Sequence, residues 1–372
     1  MAQYRLGILG GGQLARMSVM AAQRMGISVV SLDEDASSPA AQVGPAIIGS
    51  IHDSEAIAKI MSQCDFVTFE NEFIKAETLR SACQKAGFAT ENVIPGIDTL
   101  ATIQDKLLQR QAYERHGVPS PRAVEAKDAP ELGFPCVLKA RYGGYDGKGT
   151  RYVNTKEEYE ALEPIWGPGG WLAEELVSFD EEVAVMVVVG KDGANDTFPA
   201  VITRQKNYVC DLVYPCNDHQ AMAEAEKVAT AAVKAVGGTG LFGVELFLQA
   251  DGKISVNEIA PRPHNTGHYS LDWGGLSQFE AHVQVAIGCF VRVTPGVPAC
   301  MANLLGINGA MNLTKAIEAV CQRHPEARFH WYGKKEAKQG RKMGHINVVG
   351  EGDIIDKAER ARETFYQVWS EQ

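Results

Sequence analysis

The chain has 372 residues, 45% hydrophobic and 22% charged, with a net charge of −10 at pH 7. This is an ordinary globular composition for two or three domains; its acidity excludes a broad nucleic-acid-binding face but leaves room for a local basic pocket. No apolar run reaches the roughly 20 residues that span a bilayer and no leader pattern precedes the first strand-like segment, while the 8 cysteines stand singly without a C-x-x-C pair, so reduced thiols in a cytoplasmic protein are expected, with neither a zinc site nor a disulfide framework.

Residues 4–9 read as a short buried strand, followed by the glycine turn Gly10-Gly11-Gly12. A helix is expected from about Gln13 to Met25, because Leu14, Met17, Ala21 and Met25 recur at helical spacing. Gly26 ends it, and Ile27–Leu32 forms a second strand ending at Asp33. That β-α-β order implies a parallel sheet, which Phe66–Phe69 and Val93–Ile94 extend, in a first domain over 1–100. A helical pattern from Ile103 to Arg115 is broken by Val118-Pro119-Ser120-Pro121. Strand-like runs follow at Cys136–Ala140, Trp171–Val177, Val183–Val189, Leu241–Leu248 and Lys253–Ile259, with a helix over Gln220–Val236 among them. This order suggests an α+β domain with antiparallel sheets over 101–293. A third segment, 294–372, begins at Thr294-Pro295-Gly296 and holds strands at Ala299–Leu305 and Gly344–Val349 and a final amphipathic helix, Ile354–Trp369.

Two glycine clusters point to anions. Gly10-Gly11-Gly12-Gln13-Leu14-Ala15 fits G-x-G-x-x-[GA] between a strand and a helix, with Asp33 and Glu34 where a ribose-binding acid would sit. Three readings stand open there: a dinucleotide site, a purely structural turn, and a phosphate site for a nucleotide-like substrate. The second cluster is Gly144-Tyr145-Asp146-Gly147-Lys148-Gly149-Thr150, five residues after Lys139 and followed by the strand Arg151–Val153. Strand, glycine loop and strand can fold over a triphosphate, with Lys139 reaching its oxygens; an exposed hairpin is the plainer alternative.

Glu245 and Glu258 lie in two apolar strand-like runs joined by the turn Gln249-Ala250-Asp251-Gly252. If Leu248 pairs with Lys253, Glu258 falls opposite Gly243, and the two acids share a face as a diagonal pair ~7–8 Å apart at the backbone. That spacing suits Mg²⁺ held between carboxylates and phosphate oxygens; the alternative is a solvated face. Strict alternation puts Asn257 on the opposite face. Next comes Arg262-Pro263-His264-Asn265-Thr266-Gly267-His268, a donor-rich loop suited to bicarbonate or carboxyphosphate. Far downstream, the basic stretch Tyr332 to His345 reads as a loop gripping a phosphate.

In these motifs, together with Gly340-Arg341-Lys342-Met343-Gly344-His345, the chain resembles the N5-carboxyaminoimidazole ribonucleotide synthetases of the ATP-grasp class along essentially its whole length. The resemblance implies an α/β and α+β chain: a Rossmann-like parallel-sheet domain, an ATP-grasp domain with a mobile lid at about 118–177, and a small β-rich C-terminal domain. It implies that ATP, bicarbonate and 5-aminoimidazole ribonucleotide give the N5-carboxylated ribonucleotide in purine synthesis, with Mg²⁺ or Mn²⁺, in a cytoplasmic homodimer. Carried over by position, ATP would meet Lys106, Lys139, the loop Gly144, Tyr145, Asp146, Gly147, Lys148, Gly149 and Thr150, the segment Glu174, Glu175, Leu176 and Val177, Glu182, Gln205 and Asn257. Glu245 and Glu258 would hold the metal. The ribonucleotide would bind Gly11, Gly12, Gln13, Leu14, Glu70, Tyr145, Lys334, Arg341 and Lys342; Arg262, His264, Asn265, His268 and Lys148 would act on the bicarbonate-derived species. Ala15, Thr266 and Gln205 depart from the usual Gly, Ser and His. Competing expectations are an ATP-grasp ligase with another acceptor and an NAD-dependent oxidoreductase.

Overall fold

A computed structural model of the chain describes residues 4–144, 149–207, 209–216, 219–309 and 312–370. The N-terminal part runs β1 (Arg5–Leu9), α1 (Gln13–Arg24), β2 (Ser28–Asp33), β3 (Ala46–Ile48), α2 (Ser54–Met61), β4 (Phe66–Phe69) and α3 (Ala76–Ala86). Its four strands form a wholly parallel sheet, β3-β2-β1-β4, and Val93 adds a bridge to Val67. Leu6 and Ile8 on one face and Leu9 on the other pack into separate apolar clusters. A parallel sheet covered on both faces needs this doubly apolar β1.

The helical pattern expected over 103–115 is interrupted. α4 (Ile97–Gln104) stops at Asp105, whose carboxylate caps α5 (Lys106–Arg115) by accepting from the Leu107 N–H at 3.0 Å. β5 (Ala123–Glu125), β6 (Cys136–Ala140), β7 (Thr150–Val153), α6 (Lys156–Ala161), α7 (Glu163–Trp166) and β8 (Trp171–Glu175) follow. They build an antiparallel sheet, β5-β8-β6-β7, in which Lys139 pairs with Thr150 across the glycine hairpin.

The remaining elements are β9 (Glu181–Val189), β10 (Asn195–Thr197), β11 (Val201–Lys206), β12 (Val209–Pro215), α8 (His219–Ala235), β13 (Gly240–Leu248), β14 (Ile254–Ala260), α9 (Gln278–Ala286), β15 (Ala299–Leu305), α10 (Leu313–Arg323), β16 (Ala327–Trp331), β17 (Lys342–Val349) and α11 (Ile354–Trp369). Their strands run β14-β13-β9-β11-β12-β15-β17-β16 in one sheet, with β10 beside β9. The C-terminal strands are therefore no sheet of their own: β15 joins β12 through Leu212↔Ala302 and Val213↔Met301. Two helices cover these strands, α10 through Ala316 and Val320 and α11 through Phe365 and Trp369. The sequence pattern does not announce β11, β12, β16, α10 or the N-terminal α2 and α3. Among the described residues no helix is long and apolar enough to cross a membrane.

Candidate active site

The three sheets surround one cleft of about 1330 Å³. On its N-terminal wall, the glycine turn is held by the chain's own carboxylates. Glu70, at the end of β4, accepts from the N–H of Gly12 at 2.6 Å and of Ala15 at 3.0 Å. Asp33, at the end of β2, accepts from the N–H of Gly11 at 2.8 Å. A Cβ on Gly12 would lie 2.5 Å from Glu70 Oε1, and one on Gly11 would lie 2.7 Å from the Asp33 Cβ. These glycines thus make room for protein carboxylates. The Glu70 carboxyl occupies the N–H groups of Gly12 and Ala15 at the start of α1, where the sequence left a dinucleotide, a structural turn and a substrate phosphate open. Burial pushes the Glu70 carboxyl up, and its two N–H donors oppose that. Gln13, Leu14, Gly12 and Glu70 face the cleft, whereas Gly11 does not line it.

On the hairpin wall, Gly144, Gly149 and Thr150 line the cleft; Tyr145, Asp146, Gly147 and Lys148 fall outside the described residues. Lys139 on β6 meets Glu174 Oε2 on β8 at 2.7 Å, and Arg110 on α5 meets Glu174 Oε1 at 2.8 Å. The Arg110 fork also donates to the carbonyls of Val256 at 3.1 Å and Asn257 at 2.7 Å. Burial would raise the Glu174 carboxyl, but the two cations outweigh it and hold it at about 2. Its carboxylate is therefore an internal counter-ion, so the Glu174 side chain is not free for a nucleotide base. Glu175, Leu176 and Val177 continue along the cleft. Glu182 on β9 lines it too; burial pushes its carboxyl up, opposed by a hydrogen bond from Gln205.

The acid pair differs from expectation in a decisive detail. A β-bulge shifts the register between β13 and β14, so Glu258 stands opposite Glu245, and Gly243 stands opposite Ala260. Asn257 is the extra residue, between the pairs Leu246↔Val256 and Glu245↔Glu258. A bulge breaks strict alternation, and Asn257 lines the cleft together with both acids. Directly opposed residues have Cβ atoms ~4.5–5.5 Å apart, closer than the diagonal pair expected from an unbulged hairpin. Lys106, the first residue of α5, reaches Glu258 Oε1 at 3.1 Å. Burial would raise the Glu258 carboxyl, yet Lys106 keeps it below the ordinary carboxylate range.

Among the described residues no group of three or more His, Cys, Asp or Glu side chains could hold a metal alone. Two opposed carboxylates and an amide oxygen are nonetheless hard donors in a partly wet cleft. They fit a cation that completes its shell with phosphate oxygens and water, as Mg²⁺ does.

The donor-rich loop closes the far end. Arg262 forks onto Glu72, with Nε 2.5 Å from Oε2 and a second nitrogen 2.9 Å from Oε1. His264 has Nδ1 2.9 Å from Thr266 Oγ1 and Nε2 3.8 Å from Glu245 Oε1. Burial drives its ring down to about 3, so it is neutral at pH 7. The Asn265 and Asn303 side chains exchange hydrogen bonds of 3.0 and 2.5 Å. Arg262, His264 and Asn265 line the cleft. His268 does not; it is fully buried, with Nδ1 2.8 Å from Gln278 Nε2, so direct contact with a bound anion is corrected to a place behind the wall. Gln278 also holds the backbone N–H and carbonyl of His264, each at 2.9 Å.

Lys334, Arg341 and Lys342 line the same end, although Lys342 begins β17 instead of standing in a loop. Lys334 donates to the Lys342 carbonyl at 2.6 Å, and burial pushes its ammonium down to about 8. Among the cleft residues that escape a reading of the sequence are two charged ones that bind other cleft residues, Arg110 and Glu72. Arg110 stands one helical turn after Lys106, a spacing that could have flagged it. Glu72 carries no local signal, because its partner Arg262 is 190 residues away.

Comparison with known proteins accounts for this arrangement. The ribonucleotide synthetase preATP-grasp domain matches residues 3–104, the ATP-grasp domain residues 111–279, and the phosphoribosylaminoimidazole carboxylase C-terminal domain residues 299–359. An N5-carboxyaminoimidazole ribonucleotide synthase of Synechococcus elongatus is 39% identical over 98% of this chain and 94% of its own. The phosphoribosylaminoimidazole carboxylase of Ogataea methanolica is 38% identical over 93% of this chain, but the match spans only 66% of that longer protein. A crystal structure of the Aspergillus clavatus synthase in complex with ADP and 5-aminoimidazole ribonucleotide superposes with a TM-score of 0.86 at 32% identity, covering 98% of each chain. By sequence and by fold, the chain belongs to the N5-carboxyaminoimidazole ribonucleotide synthases, ATP-grasp carbon–nitrogen ligases of purine biosynthesis.

Proposed function

We propose that this cleft carboxylates 5-aminoimidazole ribonucleotide with bicarbonate and ATP, through carboxyphosphate. The observation that carries the reading is that one continuous cleft joins a lysine-and-carboxylate end to an arginine-, histidine- and lysine-lined end. At the first end, Lys139 and Lys106 neutralise the triphosphate, the Glu175–Val177 segment meets the base, and Glu182, held by Gln205, meets the ribose. Glu245, Glu258 and Asn257 would hold Mg²⁺, for which Mn²⁺ can substitute, and bound there it would neutralise phosphate charge. The Aspergillus clavatus synthase, crystallised with ADP and 5-aminoimidazole ribonucleotide together, supports a cleft that takes both a nucleotide and the ribonucleotide.

A bicarbonate oxygen attacks the γ-phosphorus, ADP leaves, and carboxyphosphate forms. The ribonucleotide's amine then attacks the carboxyl carbon, phosphate departs, and the amine gives up a proton. Arg262, the neutral His264 and Asn265 orient the bicarbonate-derived group by hydrogen bonds aimed at its oxygens. Lys334, Arg341 and Lys342 bind the ribonucleotide's phosphate, beside Gln13, Leu14 and Glu70. Tyr145 and Lys148 complete the hairpin contacts in this reading, which extends to a cytoplasmic homodimer on family membership alone. The test is phosphate release from ATP with and without the ribonucleotide and bicarbonate. Release is expected only when all are present; equal release without the ribonucleotide would overturn the acceptor assignment.

A further inference from the structure

Three consecutive residues at the joint of α4 and α5 (the last of α4, the residue between, and the first of α5) reach three different walls of the cleft. The Gln104 Nε2 donates to the carbonyls of Glu72 at 2.6 Å and Ile74 at 2.7 Å. It thereby clamps the loop after β4 that carries Glu70 and Glu72. Asp105 accepts from Arg141 Nε at 2.9 Å, from a second Arg141 nitrogen at 2.5 Å and from the Tyr142 hydroxyl at 2.7 Å. Arg141 and Tyr142 follow β6 directly, at the base of the glycine hairpin. The backbone adds to this joint, since the Lys106 N–H donates to the Arg141 carbonyl at 3.1 Å. Lys106 itself holds Glu258 on the acid strand at 3.1 Å.

Helix capping does not account for Asp105. A cap needs one side-chain oxygen, and Asn, Ser or Thr would serve. Here both oxygens of a carboxylate that is only 2% exposed are engaged, and the arginine fork is bidentate. Asp105 is buried while Arg141 is partly exposed, and a bidentate pair of this kind fixes one geometry more than it adds stability. No step of the proposed chemistry uses Gln104 or Asp105.

We infer that Gln104, Asp105 and Lys106 form a positioning junction that sets the substrate loop, the hairpin base and the acid strand in one mutual register. Asp105 is its central positioning residue, so that phosphoryl transfer occurs only where the acceptor amine is aligned. The inference rests on the functional reading above, in which those three walls hold ribonucleotide, nucleotide and metal. Loss of the junction leaves each wall intact but misaligned, so that carboxyphosphate reaches water instead of the amine.

The experiment measures phosphate released per ribonucleotide carboxylated, kcat, and KM for ATP and for the ribonucleotide, in wild type, Asp105→Asn, Arg141→Gln, the double variant and Gln104→Ala. Asp105→Asn keeps the cap and the shape while removing the charge. Wild type should couple one phosphate to one product. Asp105→Asn and Arg141→Gln should each release several phosphates per product and lose about tenfold in kcat, the scale set by sub-ångström misplacement. The double variant should be no worse than either single one, because both remove the same contact. Gln104→Ala, which leaves the Asp105 cluster untouched, should raise the KM for the ribonucleotide instead. Folded variants that keep one-to-one coupling and wild-type constants would overturn the junction, as would melting-temperature losses with coupling unchanged. A wild-type enzyme without ribonucleotide-dependent phosphate release would instead sink the underlying functional reading.

Discussion

Glu174→Gln isolates the buried charge on which the hairpin wall of the cleft is built. The Glu174 side chain is 3% exposed, between Arg110 at 5% and Lys139 at 19%. Substitution keeps the shape but leaves two cations facing a neutral amide. Breaking a buried ion pair from one side costs about 3–5 kcal/mol. A second route reaches a similar figure. The carboxyl titrates at about 2 instead of 4.5, which corresponds to about 3 kcal/mol favouring the charged form in the folded chain. For 372 residues, an unfolding entropy of about 2.1 cal/mol/K per residue converts 3 kcal/mol into a melting-point drop of about 4 °C if the chain unfolds as one unit. The sign with pH follows from a depressed folded-state value. The contribution is complete above about pH 4.5 and fades as pH falls toward 2, so the gap between wild type and variant should be full at pH 7 and should narrow below pH 4.5. Calorimetry across pH 3–7 measures it. A variant as stable as wild type at pH 7, or a gap that stays constant down to pH 3, would refute the reasoning.

Lys139→Ala should raise the KM for ATP about 10- to 100-fold, the worth of a charge-assisted hydrogen bond of about 1.5–3 kcal/mol; unchanged ATP dependence in steady-state kinetics would assign that contact elsewhere. Gly243→Ala would put a Cβ 2.4 Å from the Cβ of His264. It should cost about 1–3 kcal/mol by overpacking and lower kcat, so normal turnover and melting would show that His264 needs no such room. Lys334 titrates at about 8, and its charge is lost as pH rises through that value. The kcat/KM for the ribonucleotide should therefore fall above about pH 8, and Lys334→Arg should move that limb upward, since guanidinium stays charged. A limb unmoved by the substitution would remove Lys334 from phosphate binding.

The fold was legible where one physical signal acted alone. Phe66–Phe69, Cys136–Ala140 and Ala299–Leu305 are apolar runs whose buried strands begin and end as expected, and Ile354–Trp369 carries its amphipathic period from end to end. The helix break at Asp105 was hidden because the apolar spacing continues on both sides of it, although an acid followed by a helical pattern is itself a start signal. The acid pair was legible as a pair but not in register, because a one-residue bulge at Asn257 leaves no mark in the alternation until Glu258. The first glycine turn was legible as a close backbone approach, but glycine spacing does not say that the group approached is the carboxyl of Glu70, 58 residues away. Glu72 and Gln104 were illegible for a related reason. Their partners are set by how three sheets meet, and no local pattern encodes a contact of that range. His268 shows the reverse error: a donor beside true lining residues in sequence points behind the wall in space.

In the proposed function Glu245 and Glu258, opposed across a bulge, hold a divalent cation with the nucleotide. Titrating Mn²⁺ against the protein in the presence of ADP, with the free ion followed by electron paramagnetic resonance, tests it without reliance on turnover. Wild type should bind Mn²⁺ with ADP. Glu245→Gln and Glu258→Gln should each bind it at least about tenfold more weakly while melting within a few degrees of wild type, as the loss of one carboxylate ligand requires. Wild-type Mn²⁺ affinity in both variants would contradict the account.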